Sequence, residues 1–297
     1  MRVSTQSFYD QSKSAMGSLQ SNLLRTQQQL GAGTKILAPS DDPLGATRAL
    51  AVSQSIALSA QYAASRAHAA QTLSMEENAL QSVTTVLQNV KTQLIQAGGT
   101  LTDADRATIA TTLQSNMDQL LGLANSDDGN GQFLFAGFKS GTAPFVHQGD
   151  GSISYVGDQG QHLMQVDVSR QMAGTDDGRS IFQSAGADVF ATLNTVIAAL
   201  KTPGGNVSAV GTANREITAA HDNVLTVRSS VGTRLQELDA LGVTGDNRTL
   251  SDKSYLSDLQ DLDYGSTIAE FYQRQTALQA SQQTFIKIQQ IALFNYL

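Results

Sequence analysis

Apolar side chains recur at sevenfold spacing through most of this chain. Tyr9, Met16, Leu23 and Leu30 lie seven apart, with Ser12, Leu19 and Thr26 between them. The pattern predicts a terminal helix with a weak seam, since two of the three alternates are polar, ending at Gly31 and Gly33. Asp42-Pro43 then reads as an N-cap followed by proline at the first helical position. A helix from there to Ala97 carries Leu73, Leu80, Leu87 and Leu94, with Val83, Val90 and Ala97 between. At 1.5 Å per residue that is a rod of roughly 80 Å, stopped by Gly98-Gly99. Thr102-Asp-Ala-Asp105 resembles a capping box for a third helix, with Ile109, Leu113, Leu120 and Ala124 facing inward.

The period changes after residue 125. Gly149-Asp150-Gly151 is a hairpin signal, with Ile153 and Tyr155 alternating beyond it and Met164, Val166 and Val168 farther on. Residues 144–185 therefore read as a small β insert. Helix returns at Asp188, with Val189, Leu193, Val196 and Leu200 on one face, and Pro203-Gly204-Gly205 ends it. The cleanest repeat follows: Val210, Ile217, Val224, Val231 and Leu238, interleaved with Ala213, Ala220, Val227 and Leu241. Gly and Asn at 242–247 predict a loop, and a last helix runs from Ser251 to the end.

These elements predict a mainly α fold: an elongated antiparallel helical bundle or coiled coil, with the β insert at its distal tip and the terminal helices paired. Residues 43–143 and 186–264 form the bundle, 144–185 the insert, and 1–42 with 265–297 a terminal-helix layer. The layer is expected to be disordered in a monomer. A few seam residues worth about 1.5–3 kcal/mol each must oppose ordering costs of ~1–2 kcal/mol per residue. Yet the C-terminal stretch is among the most apolar in the chain, and exposed apolar surface of that kind marks an interface. The expected assembly residues are Tyr9, Met16, Leu19, Leu23 and Leu30, with Ile268, Phe271, Leu278, Phe285, Ile288, Ile291, Leu293, Phe294 and Leu297.

Composition narrows the chemistry. Only 15% of the 297 residues are charged and the formal net charge is −7, with no basic run to suit nucleic acid or an anionic membrane. No apolar run approaches the ~20 residues of a membrane span. There is no cysteine, hence no thiol chemistry or disulfide. The opening residues lack the apolar region of a cleaved signal peptide. His68, His147, His162 and His221 have no metal-ligand spacing, and Asp41-Asp42, Asp127-Asp128 and Asp176-Asp177 each abut turn residues. "GAGTK" at 31–35 follows a helix and lacks the rest of a phosphate loop. The reading is of no enzyme: no catalytic residue, cofactor or metal site is expected.

The punctuation at "KILAPSDDP" (35–43) is the sharpest local signal, because it holds Pro39 and Pro43 out of four prolines in the chain. Pro39 disfavours helix for Ala38, while Asp42 and Pro43 open the next rod. Pro39, Asp41, Asp42 and Pro43 are thus expected to form a joint between helical layers.

"LGAGTKILAPSDDPLGATRAL" (30–50), "GQFLFAGFKSGTAPF" (131–145), "VRSSVGTRLQELDAL" (227–241) and the final "IALFNYL" together resemble the flagellin family, on its hook-filament junction branch. The resemblance implies a structural subunit of the bacterial flagellum, extracellular, exported largely unfolded without a cleaved signal. Implied partners are a first hook-filament junction protein, flagellin, an export chaperone and the export apparatus, with self-association in a helical ring. An ordinary filament flagellin, or a secreted adhesin with a coiled-coil stalk, remain the competing readings.

Overall fold

The computed structural model describes residues 2–149, 151–184, 187–202 and 207–294. The fold is mainly α with a small β insert. Three helices come first: α1 (Arg2–Ala32), α2 (Pro43–Ala97) and α3 (Asp103–Ala124). The insert holds β1 (Phe145–His147), β2 (Ile153–Tyr155), β3 (Leu163–Asp167), β4 (Arg170–Ala173), the short α4 (Gly178–Phe182), β5 (Gln183–Ser184) and β6 (Ala187–Asp188). Then come α5 (Val189–Lys201), α6 (Val207–Gln260) and α7 (Tyr264–Phe294). Two compact units result, Met1–Leu58 with Asn247–Leu297, and Ser59–Asp246.

The second unit is built on the sevenfold pattern. Leu73, Leu80, Val83, Leu87, Val90 and Leu94 of α2 are buried, as are Val210, Ile217, Val224, Val231 and Leu238 of α6. Ile109, Leu113, Leu120 and Ala124 of α3 and Val189, Leu193, Val196 and Leu200 of α5 join the same cluster. Local signals set the ends of these helices. Thr102 and Asp105 form a reciprocal capping box at α3, satisfying two orphan N–H groups. At α5, Asp188 Oδ1 accepts the N–H groups of Phe190 at 3.0 Å and Ala191 at 2.9 Å.

The insert consists of three antiparallel pairs, β1–β2, β3–β4 and β5–β6. Phe145 lies opposite Tyr155, and Met164 opposite Met172. Such short ladders cannot stand alone; an aromatic cluster holds them to the helices. The Phe145 ring sits 5.3 Å from Phe190 and 5.5 Å from Phe182, with Phe135 5.8 Å from Phe182.

Two sequence expectations fail here. Residues 242–247 are not a loop, since α6 runs unbroken from Val207 to Gln260. Glycine inside a helix costs only about 1 kcal/mol, and at Gly245 the missing side chain leaves room for Arg66, whose Nη2 would lie 2.7 Å from a Cβ. The helical break falls instead at 261–263, ahead of α7. Val168 is not on the strand face with Met164 and Val166 but in the β3–β4 turn, exposed. The expected stop at Pro203-Gly204-Gly205 lies outside the described residues, as does Asp150 of the hairpin signal.

Long-range polar contacts join the insert to α2 and α6. Arg66 Nη1 donates to the Val166 carbonyl at 3.0 Å, and Arg170 clasps Glu237 through two bonds of 2.6 and 2.8 Å. Asp176 pairs with Arg234, and its N–H donates to Glu76 Oε1 at 3.2 Å. Glu76 is fully buried. Burial first, and then the negative Asp176, push its carboxyl up to about 8, with Arg234 opposing.

The folded chain therefore keeps a proton that the unfolded chain releases near 4.5. The stability due to this group is complete below pH 4.5, declines as pH rises to about 8, and is constant above. Urea unfolding of Glu76→Gln, which mimics the neutral acid, should lose less stability than wild type between those limits. Parallel pH profiles for the two proteins would rule this out.

Candidate assembly interface

The joint predicted at 35–43 is a folded loop between α1 and α2, pinned by its own acids. Asp41 Oδ2 accepts the N–H groups of Leu37 at 3.1 Å and Ala38 at 3.2 Å, and Oδ1 pairs with Arg25 of α1 at 2.9 Å. Asp42 Oδ1 accepts the Gly45 N–H at 2.9 Å, the bond expected of an N-cap ahead of Pro43. Pro39 and Pro43 are exposed and bring no N–H that would need a partner.

The same loop is tied to the break between α6 and α7. Lys35 N–H donates to the Gln260 carbonyl at 2.9 Å, Leu262 N–H to the Gly33 carbonyl at 3.1 Å, and Lys35 Nζ to the Asp258 carbonyl at 2.6 Å. Gly33 adopts φ +70°, and a Cβ there would stand 2.8 Å from Tyr264 Oη, so glycine is required twice over. Asp263 opens α7: its Oδ1 accepts the N–H groups of Gly265 at 3.0 Å and Ser266 at 3.4 Å. Those bonds to Ser266, and then Gly265, hold its carboxyl below the usual range.

Helices α1 and α7 pair antiparallel, with Tyr9 and Phe285 ring centroids 5.1 Å apart at one level and Arg274 reaching Thr26 and Asn22 at another. On α1 the half-buried seam positions are Ser12, Met16, Leu19, Leu23 and Leu30, with Thr26 fully buried and Gln29 half-buried beside the row. On α7 they are Phe271, Arg274, Leu278, Ser281, Phe285 and Ile288, after a buried Thr267. Both rows alternate steps of four and three, the spacing of a coiled-coil seam. Ile268, expected in the apolar set, lies off this row and is 43% exposed. The side chains of Ile291, Leu293 and Phe294, and all of Leu297, lie outside the described residues.

The pair encloses no core. In the first unit Ala49 is the buried hydrophobic residue among those described, whereas Tyr9, Leu24, Leu44, Leu50, Leu250, Tyr255, Tyr264, Tyr272 and Ile286 are exposed. Sequence reasoning missed Arg274, Arg25 and Asp263. Arg274 sits three after Phe271 and four before Leu278, so seam spacing marks it, though a charged side chain is not the usual occupant of such a position. Asp263 carried an N-cap signal that a glycine-based loop assignment upstream concealed.

The acid pair Asp127-Asp128 lies in an ordinary turn in which Asp128 Oδ1 accepts the N–H groups of Asn130 at 2.8 Å and Gln132 at 3.1 Å. Among the described residues no three His, Asp or Glu side chains are grouped to hold a metal, and no helix is long and apolar enough to cross a membrane.

The closed middle unit and the paired end helices, which leave an apolar flank uncovered, are those of a structural protein of the bacterial flagellum, as its relatives show. The sequence profile of the bacterial flagellin N-terminal helical region matches residues 3–140. Flagellar hook-associated protein 3 of Salmonella typhimurium is 41% identical over 99% of both chains, and that of Escherichia coli 39% over the same shares. The solved flagellar hook associated protein-3 of Legionella pneumophila has the same fold, with TM-score 0.64 at 19% identity over 70% of this chain and 98% of its own. This chain belongs to the flagellar hook-associated protein 3 family.

Replacing Asp41 with Ala leaves two part-buried N–H groups without their acceptor and Arg25 without its partner. We expect a loss of about 1–3 kcal/mol in local stability, read as faster amide exchange at Leu37 and Ala38 with unit Ser59–Asp246 unaffected. Unchanged exchange at both amides would show that the carboxylate does not organise the loop.

Proposed function

We propose that this chain is the structural subunit of the flagellum that joins the hook side to the flagellin filament. The observation that carries the reading is the contrast between a closed core in one unit and exposed apolar helices in the other, in a chain of this family. The work is done by shape and contact. An open helical assembly needs heterologous faces that do not close on themselves, and the exposed residues of the end helices supply apolar area for them. The chain stands in a helical ring of its own copies, with a first hook-filament junction protein on one side and flagellin on the other.

Export is through the flagellar channel, largely unfolded, with a chaperone guarding the apolar C-terminal helix beforehand. Two features favour that route. No disulfide has to be managed, and the terminal pair, with only one row of large seam residues on each helix, does not by itself offset its ordering cost. The inter-layer role of Pro39, Asp41, Asp42 and Pro43 is part of the same proposal: they fix the angle at which the chain leaves α1 and enters α2.

Cells lacking the protein should make hooks but shed filament into the medium, as seen by electron microscopy. Filaments attached normally in its absence would sink the role. Pro39→Ala combined with Pro43→Ala should cut filament attachment severalfold while lowering the melting temperature of the monomer by no more than a few degrees. Equal losses in both would count against a joint that serves assembly.

A further inference from the structure

We propose that Arg274 and Thr26 set the register in which α7 lies along α1, so that the coupled ends can present only one alignment to neighbouring subunits. The inference rests on the assembly reading above and deepens it. Arg274 crosses from α7 to α1: Nη1 donates to Thr26 Oγ1 at 2.6 Å and to the Asn22 carbonyl at 2.8 Å. Its Nη2 is held one turn back along α7 by Glu270 Oε1 at 2.5 Å. Thr26 donates its own proton to the Asn22 carbonyl at 3.0 Å, which leaves its oxygen lone pairs for the guanidinium.

The neighbouring seam positions on α1 cannot repeat this contact. Antiparallel slippage by half a heptad places Arg274 against Leu23 or Leu30, and by a full heptad against Leu19 or Gly33. Backbone carbonyls occur at every position, so they carry no positional information. The seam hydroxyl occurs at Thr26 and not at the neighbouring seam positions, and Thr26 is fully buried. A guanidinium facing leucine keeps Glu270 on its own helix but loses the hydroxyl acceptor across the seam. An apolar seam as short and uniform as Met16-Leu19-Leu23-Leu30 discriminates poorly between registers by itself. A single polar position inside such a seam is a known means of specifying alignment at some cost in stability. The low apolar content that makes the pair weak is therefore accompanied by a device that makes it singular.

The absence of cysteine from the chain makes disulfide trapping a clean test on the full protein, as monomer and in isolated flagella. Tyr9→Cys with Phe285→Cys reports the observed register. Tyr9→Cys with Leu278→Cys reports the slip that sets Arg274 against Leu19. We expect the first pair to cross-link about tenfold more than the second, the scale of one charge-assisted hydrogen bond. Thr26→Ser should keep that ratio, and Thr26→Leu with Arg274→Leu should bring it near unity without loss of helical circular dichroism. A ratio unmoved by the double leucine variant, a parent chain that traps both pairs equally, or no trapping in either state would overturn the proposal. Filament attachment scored on the same strains separates the two claims. Attachment retained with register unchanged in the leucine variant removes the lock alone. A failure to attach in which register control is normal bears on the junction role alone.

Discussion

Apolar burial in this chain is spent almost entirely between Ala69 and Leu238. Every other feature answers to that constraint. The heptad faces of α2, α3, α5 and α6 close on one another, and the insert's phenylalanines complete the cluster, so the middle unit satisfies itself. Helices α1 and α7 have only a one-sided seam each. Helix propensity does not sustain such elements in water, because most helical stability in proteins comes from packing a face. Their remaining apolar side chains stay exposed in a single chain and need a second surface.

What was legible in the sequence was what local chemistry determines. The start of α2 at Pro43, its end at Ala97, the capping box at Thr102 and the cap at Asp188 are each specified by residues within one turn. The sevenfold rows of α2 and α6 were legible because burial follows them without interruption. The length of α6 was not, since Gly242 and Gly245 are breakers only on average. Nor could sequence show which charge meets which: Arg66 with Val166, Arg234 with Asp176 and Arg274 with Thr26 are pairings across distant segments. The strands of the insert were read only in part, because three-residue ladders give periodicity too little length to register.

The two interruptions of helix in the first unit are physically one feature. The α1–α2 loop and the α6–α7 break hydrogen-bond to each other through Gly33, Lys35, Gln260 and Leu262. Each break frees carbonyls and N–H groups at helix ends, which would otherwise need solvent or caps, and each supplies partners for the other. Asp41, Asp42 and Asp263 satisfy N–H groups that remain. This explains why two prolines and a tandem acid crowd into one short stretch of a chain otherwise poor in proline. The loop must turn sharply while leaving no backbone group unpaired, and carboxylates accept several N–H groups at little steric cost.

Weak cohesion and strict geometry make opposite demands on the same pair of helices. Adding leucines to the seam would raise cohesion, but it would also stabilise neighbouring registers, since leucine rows match one another at every heptad. A buried threonine facing an arginine sacrifices apolar area and gains a contact that the neighbouring registers lack. Serine, threonine and glutamine elsewhere on α1 and α7 keep the outer faces soluble without adding charge that could repel a copy of the same chain. On the proposed role, in which the subunit is exported loosely folded and then joins a helical assembly, discrimination between alignments matters more than the free energy of any one of them.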